Sequence, residues 1–516
     1  MRTPFSLLLF LLAFLPLSLT SSGHAAPPTD DPASHYKLAW TREIPWAQVV
    51  NIKDFKGNTP EQFAAAQKAV LAKGGGVVYF PAGTYPFNDS LHLQSGVVIR
   101  GETPARVRDA RKEGYEPSTK FVFPPYKPRL EGQGTPISSA FKGIVLAAPG
   151  QASNSGVVHV SINHGHIHFD DDGSPQHRAG KNLIVLGCVL RNAAVADPAV
   201  PDAKIGQHPW QRFTARHHAA IAVRGENLLV ANNRLPRSGE DNFTMKSYLV
   251  RGRGKQAKEV LEEVVFDYDN RPGLYVNDYG IGAPGGNPPD GTPRTYPWGF
   301  RKGIVIHDNY IYATGRCAIS FAGDGVICAN NVIRFAKDVY RPTATGRNLT
   351  TGSSTNDNRA VQMRGWRWVV EGNDYEVYRN WAADRSYHIN DGEGLMHEDH
   401  VNSTILDSKL INNKGNSYLS LYKTGGINGL LVKGNEITTN GGIAAIYVNA
   451  NRNSGKHECK NVTIEDNVTR GSGILIAGEP ASGNVVRNNR HLGKGGVIVN
   501  EAKARLSNNR GYEPEP

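Results

Sequence analysis

Through the second half of the chain, apolar residues fall at alternate positions in short runs, each closed by a turn rich in Gly, Asn and Asp. Period-two alternation marks strands with one buried face, and runs this short do not carry amphipathic helices. One unit recurs: "LLVANN" ending at Asn233, "IVIHDN" at Asn309, "VICANN" at Asn331, "VVEGN" at Asn373, "LLVKGN" at Asn435, "VTIEDN" at Asn467, "NVVRNN" at Asn489 and "ARLSNN" at Asn509. The steps 309 to 331, 467 to 489 and 489 to 509 are 22, 22 and 20 residues. A repeat of this length predicts a solenoid, whose coils bury their apolar faces only by stacking on one another. Asn side chains at equivalent turns would hydrogen-bond up the axis, which accounts for their recurrence without catalysis.

Between these units lie second strands: "AAIAVR", "NFTMKS", "GLYVND", "CAISFAGD", "AVQMRG", "GLMHED", "YLSLYK", "AAIYVN" and "GILIAG". Stacked in parallel, they predict one long sheet with apolar residues inward and a column of outward residues. Near the start the period changes. "NTPEQFAAAQKAVLAKGGG" predicts one helix, capped by Thr59 with Gln62, with Pro60 in the first turn and Gly74 ending it. Phe63, Ala66 and Val70 form its single apolar stripe, so it should lie on a core.

The stretch that follows, "GGVVYFPAGTYPFNDSLHLQSGVVIRG", resembles the opening of the pectate-lyase-like superfamily of right-handed parallel β-helix proteins, over Val50 to Gly101. The resemblance implies an all-β chain: a right-handed parallel β-helix (solenoid) with a short N-terminal capping helix and long loop insertions. It identifies no catalytic subgroup, because lyases, glycoside hydrolases and viral tailspikes share this opening. The acidic element often preceding the helix in that superfamily is replaced here by "FKGNTPEQ", so no functional residue is carried over from it. "RLPR" at Arg234 resembles the Arg-x-Pro element of pectate lyases, but its partner residues do not follow.

The N-terminal run "MRTPFSLLLFLLAFLPLSLTSSGHAA" reads as a secretory signal cut after Ala25, which predicts a secreted or periplasmic protein. No later stretch is long enough for a membrane span. The expected organisation is residues 1–25 signal, 26–49 N-terminal extension, and 50–516 one β-helix domain with insertions near 104–140 and 239–301. Those insertions, rich in Pro, Gly and aromatic residues, are expected to wall a cleft. With 56 Gly and abundant Asn, the composition suits turn-rich β structure. Cys188, Cys317, Cys328 and Cys459 are too scattered to form a disulfide scaffold and are expected as buried free thiols. The formal net charge of +11 fits a polyanionic partner, and acidic polysaccharide is a natural one for an exported protein. No basic helix or nucleic-acid module is present, so nucleic acid is not an expected partner. The polar last rungs and "GYEPEP" tail predict a monomer.

Strand alternation assigns the outward column. Its positions are Ala222 and Arg224, Thr244 and Lys246, Tyr275 and Asn277, Ser320 and Ala322, Gln362 and Arg364, Met396 and Glu398, Ser420 and Tyr422, and Tyr447 and Asn449. Asp324 and Lys423 sit at strand ends. Glu398, Arg364, Tyr422, Lys423 and Asp324 are the candidate catalytic residues; Arg224, Lys246, Tyr275, Asn277, Gln362, Tyr447, Asn449 and His400 are the candidate substrate contacts. A uronate lyase must neutralise the sugar carboxylate, remove the C5 proton and protonate the leaving oxygen, tasks for Arg, Lys and Tyr. In this scheme Glu398 orients a base or binds Ca²⁺, the one cofactor it admits. A glycoside hydrolase instead needs two carboxyl groups. Asp324 and Glu398, two rungs apart, would lie about 9.6 Å apart at about 4.8 Å per rung. That is near the roughly 6.5–9.5 Å separation used for inversion. The column holds more cations than acids, which puts the lyase ahead of the hydrolase and of a non-catalytic carbohydrate-binding or adhesin-type β-helix. His164, His166 and His168 alternate before Asp170 to Asp172 and form a candidate metal cluster. No metal site is assigned to them, because alternating histidines on a strand commonly bind none.

Overall fold

A computed structural model describes residues 27–124, 142–147, 152–169, 180–191, 220–236, 302–312, 318–321, 323–334, 360–363, 365–376, 405–421, 426–439, 444–451, 455 and 457–514, and the backbone alone of 243–251, 258–266, 274–277, 313, 317, 322, 335, 359, 364 and 396–398. Its strands form three long parallel sheets. Sheet I has 15 strands from Val49–Asn51 to Arg505–Ser507, sheet II has 12 from Gly83–Pro86 to Arg490–Leu492, and sheet III has 12 from Leu91–Leu93 to Ile498–Asn500. Each coil visits the three in turn. Ile304–His307, Tyr310–Ala313 and Cys317–Asp324 make one coil, and Ile327–Ala329 pairs with Ile304–His307 to begin the next. The chain is a parallel β-helix, as its repeats and its opening segment predict. No helix among the described residues is long and apolar enough to cross a membrane.

The corner from sheet I to sheet II explains the Asn repeat. It consists of two residues, as at 308–309, 330–331, 372–373 and 434–435. The first is left-handed, with φ 57° at Asp308, 55° at Asn330, 62° at Gly372 and 66° at Gly434, a conformation open to Gly, Asn and Asp. The second is the buried ladder Asn. Asn331 Nδ2 donates to Ile306 O (3.2 Å) and to Asn373 Oδ1 (2.9 Å), while its own Oδ1 accepts from the backbone N–H and Nδ2 of Asn309. The ladder runs from Asn233 to Asn509 and includes Asn413, which the repeat pattern omits; Asn413 links Asn373 to Asn435.

Helix α1 (Thr59–Leu71) closes the N-terminal end of the core with Phe63, Ala66 and Val70. Its cap differs by one residue from expectation. Asn58 is the N-cap, its side chain accepting from Glu61 N (3.1 Å) while Glu61 accepts from Asn58 N (3.0 Å). Gln62 instead donates to Phe55 O (2.9 Å). Beneath the helix, Phe80 packs edge-on against Tyr85 and Phe121.

The N-terminal extension is a strap. Trp40, Ile44 and Trp46 pack with Val77, Tyr79, Val98, Ile184 and Leu229 on the outer face of sheet I. Arg100, 1% exposed, is held by Asp30 through its backbone oxygen (2.6 Å) and carboxylate (2.9 Å). The described part of the first predicted insertion lies on the same side of the molecule. Tyr115 and Ala110 pack on Val189, and Arg111 pairs with Asp109 and Asp308 (both 2.9 Å). Residues 104–118 therefore line the corner between sheets I and II and do not wall sheet III. Arg234, in the "RLPR" element, donates to Ala110 O (2.8 Å) and lies over the Tyr310 ring, which gives it a packing role. Among the described residues Cys188, Cys328 and Cys459 are buried free thiols, and burial pushes Cys188 and Cys459 up to about 12.

One expected rung is not a rung. Phe243–Arg251, with Lys246, pairs antiparallel with Lys258–Phe266, and the two form a separate two-stranded sheet in which Lys246 faces Glu263 in register. Alternation identifies a strand but cannot distinguish a coil of the solenoid from a local hairpin.

Candidate functional site: the outer face of sheet III

Parallel pairing fixes the column by register, because residues paired across neighbouring rungs occupy equivalent positions. His168, Ala222, Tyr275, Ser320, Gln362 and His397 follow one another in register. Beside them, Asn277, Ala322 and Arg364 form a second line. Further along, Ser420, Tyr447 and Leu475 continue the first line, and Asn449 pairs with Ala477 in the second. Tyr275, Asn277, Gln362, Arg364, Tyr447 and Asn449 thus lie, by backbone register, along these two lines.

Glu398 does not. It pairs with Met363, a fully buried core residue, and Met396 pairs with Val361 and Leu419. The rung is shifted by one residue, which gives His397 the column position next to Gln362. In "GLMHED" either Leu395 with His397 or Met396 with Glu398 completes a period-two pattern, and only the neighbouring rungs decide between them. Tyr422, Lys423 and His400 lie outside the described residues.

Local contacts hold the described side chains. Ser320 Oγ donates to Gln362 Oε1 (3.0 Å) within the column, and both residues are buried, as are Arg224 and Ser420. Asn449 Nδ2 donates to the Tyr447 phenol oxygen (2.8 Å), and the Asn449 Oδ1 accepts from Asn451 N (2.7 Å). These bonds pre-orient Tyr447, which is half-buried, across the rung. Asp324 ends its strand bound to Arg367, whose Nε donates to Oδ1 (2.8 Å) and whose Nη2 meets Oδ2. At that point Gly323 and Gly365 stack so closely that a Cβ on Gly365 would meet Gly323 O at 1.8 Å. These two strand ends, next to Asp324 and Arg367, can approach this closely because position 365 is glycine.

His166 and His168 share strand His166–Phe169, with ring centroids 5.6 Å apart, but His164 lies in the preceding turn at φ 62°. The three do not share a strand face. No group of three His, Cys, Asp or Glu side chains that could hold a metal occurs among the described residues, and Asp170 to Asp172 lie outside them.

No family model matches the chain, and no curated protein matches it. Solved structures with the same kind of coil do. The A-module of the mannuronan C-5 epimerase AlgE6 of Azotobacter vinelandii is 11% identical over 90% of this chain and 99% of its own, with a TM-score of 0.38. PfbA, a surface adhesin of Streptococcus pneumoniae, is 11% identical over 90% of this chain and 93% of its own, at 0.41. The catalytic unit of a GH87 α-1,3-glucanase from Streptomyces thermodiastaticus is 13% identical over 91% of this chain and 69% of its own, at 0.39. Likenesses at this level concern the fold alone.

Proposed function

We propose that the protein is an exported carbohydrate-active enzyme that cleaves an acidic polysaccharide by β-elimination, with the polymer laid along the outer face of sheet III. The observation that carries this reading is the register of two neighbouring columns, Tyr275–Ser320–Gln362–His397 and Asn277–Ala322–Arg364. Rungs about 4.8 Å apart present successive polar groups to a linear ligand on a rigid platform. Arg364 neutralises the uronate carboxylate. His397, which takes the column position expected of Glu398, removes the C5 proton, because an imidazole exchanges protons near neutral pH. Tyr275, Asn277, Tyr447 and Asn449 contact neighbouring sugars. Tyr422 or Lys423 returns a proton to the leaving oxygen. Inverting hydrolysis is the weaker alternative, because Asp324, one of its two carboxylates, is held by Arg367 through both oxygens, and Glu398, the other, pairs with the buried Met363. Export rests on the apolar N-terminal run.

The test incubates the purified protein with a panel of uronate-containing and neutral polysaccharides and follows both unsaturated-product absorbance and new reducing ends. Elimination gives both signals. Reducing ends without absorbance identify a hydrolase, and retained binding with neither signal identifies a non-catalytic carbohydrate-binding β-helix. Arg364→Ala and His397→Ala should each lower turnover by about a hundredfold or more. Full activity in both overturns the site.

A further inference from the structure

Sheet II carries a cavity that this reaction does not use. It measures about 540 Å³ and spans five rungs: Asp374–Glu376, Lys414–Gly415, Glu436–Thr438, Val468–Arg470 and Arg490–Leu492. Its floor is narrow at the second of these rungs, which is only two residues long and ends at Gly415, where a Cβ would meet the buried Tyr375 ring at 1.8 Å.

Charge is distributed unevenly along the groove. At one end Asp374 and Glu376 are paired with Arg334 (2.7 and 3.7 Å), and in the middle Glu436 faces Lys414 (3.8 Å). At the other end stand Arg470 and Arg490, with Arg510 bridged directly to Arg490 on the next turn. All three are exposed, and among the described residues none is in an ion pair. Arg490 and Arg510 are directly paired, and Arg470 lies diagonal to Arg490, two residues from its partner Val468; like charges so placed repel each other, and an anion among them would be stabilising.

We propose that this groove is a second saccharide-binding site. Arg470, Arg490 and Arg510 hold the acidic group of one sugar, and hydroxyl-rich uncharged sugars extend over Glu436, Glu376 and Asp374. Guanidinium forks match a carboxylate or sulfate, and ionised carboxylates accept from sugar hydroxyls. From Arg490 to Asp374 is four rung steps, about 19 Å at about 4.8 Å each, room for a short oligosaccharide. A ligand with charge along its whole length, such as a nucleic-acid strand, would lay phosphates over Asp374 and Glu376 and is disfavoured. The groove lies on a different face from sheet III, so it anchors polymer and raises its local concentration without taking part in cleavage. The inference rests on the acidic-polysaccharide reading only for its choice of probe.

The test titrates the full chain with a hexasaccharide of alternating uronic acid and neutral hexose, and with its carboxyl-reduced counterpart. The Arg364→Ala background is used alongside wild type so that sheet III does not dominate. The acidic probe should bind more tightly than the reduced one, and R470Q/R490Q should weaken it about tenfold while leaving the reduced probe unchanged. Circular dichroism checks that the exposed substitutions leave the fold intact. Unchanged affinity in R470Q/R490Q, or equal affinity for the two probes, overturns the site. If the lyase reading alone fails, neither protein turns over polymer, yet the titration difference persists. If the groove alone fails, turnover of short substrate remains and the difference vanishes.

Discussion

A ladder asparagine serves three rungs at once. Asn435 Nδ2 donates to Leu410 O and Asn467 Oδ1 (both 2.9 Å), and its Oδ1 accepts from the backbone and side chain of Asn413. Asn435→Ala therefore orphans buried donors and acceptors on both sides, and should cost about 2–4 kcal/mol, read as a lower urea midpoint. The recurrence of Asn was legible in sequence because one residue type answers the geometry at every coil. Asn413 was not, because the "SKLINN" run before it mixes polar residues into the strand pattern. His159 makes a different prediction. Burial, reinforced by the charge of Arg100, lowers its pKa from 6.5 to about 3. Between those values the unfolded chain binds a proton that the folded chain does not, so stability is whole above about pH 6.5 and falls as pH drops toward 3. Denaturation followed across this range should show a shallower acid slope in His159→Gln than in wild type.

At the scale of elements, strand existence was readable and strand partnership was not. Met396–Glu398 and Phe243–Arg251 both carry period-two signals, yet one is a rung shifted by a residue and the other is half of an antiparallel hairpin. Register depends on neighbours distant in sequence, which alternation does not encode. The helix shows the same limit at its end. Asn58 and Thr59 both have capping side chains, and the reciprocal bond to Glu61 selects the first. Cysteines test the shifted rung directly. Paired Cα atoms on adjacent rungs lie about 4.8 Å apart, within the roughly 4.4–6.8 Å a disulfide accepts. The double variant Q362C/H397C should cross-link under mild oxidation, detected by mass spectrometry, whereas Q362C/E398C should not.

Across the whole molecule, the three sheets differ in what covers them. Sheet I wears the strap of the N-terminal extension, whose role no local pattern reveals because its contacts, Trp40 and Trp46 on Val77 and Leu229, are far apart along the chain. Deleting residues 27–48 should expose this apolar face. The shortened protein is expected to bind a hydrophobic dye and to self-associate by light scattering while keeping its β circular dichroism. The charged groove of sheet II was equally illegible, since outward charges follow no period and their signs matter only once the rungs are stacked. Chain length is also distributed unevenly among the corners. Between Phe335 and Arg359 the II-to-III passage takes residues 336–358, and between Glu376 and Met396 it takes 377–395, whereas the I-to-II passage on the same coils takes two residues. The molecule is built like a bound book. One edge is a spine whose stitching admits no added leaf, and the II-to-III edge already takes in passages of very different length, so new sequence, whether accumulated by descent or grafted by design, has room there and not at the spine.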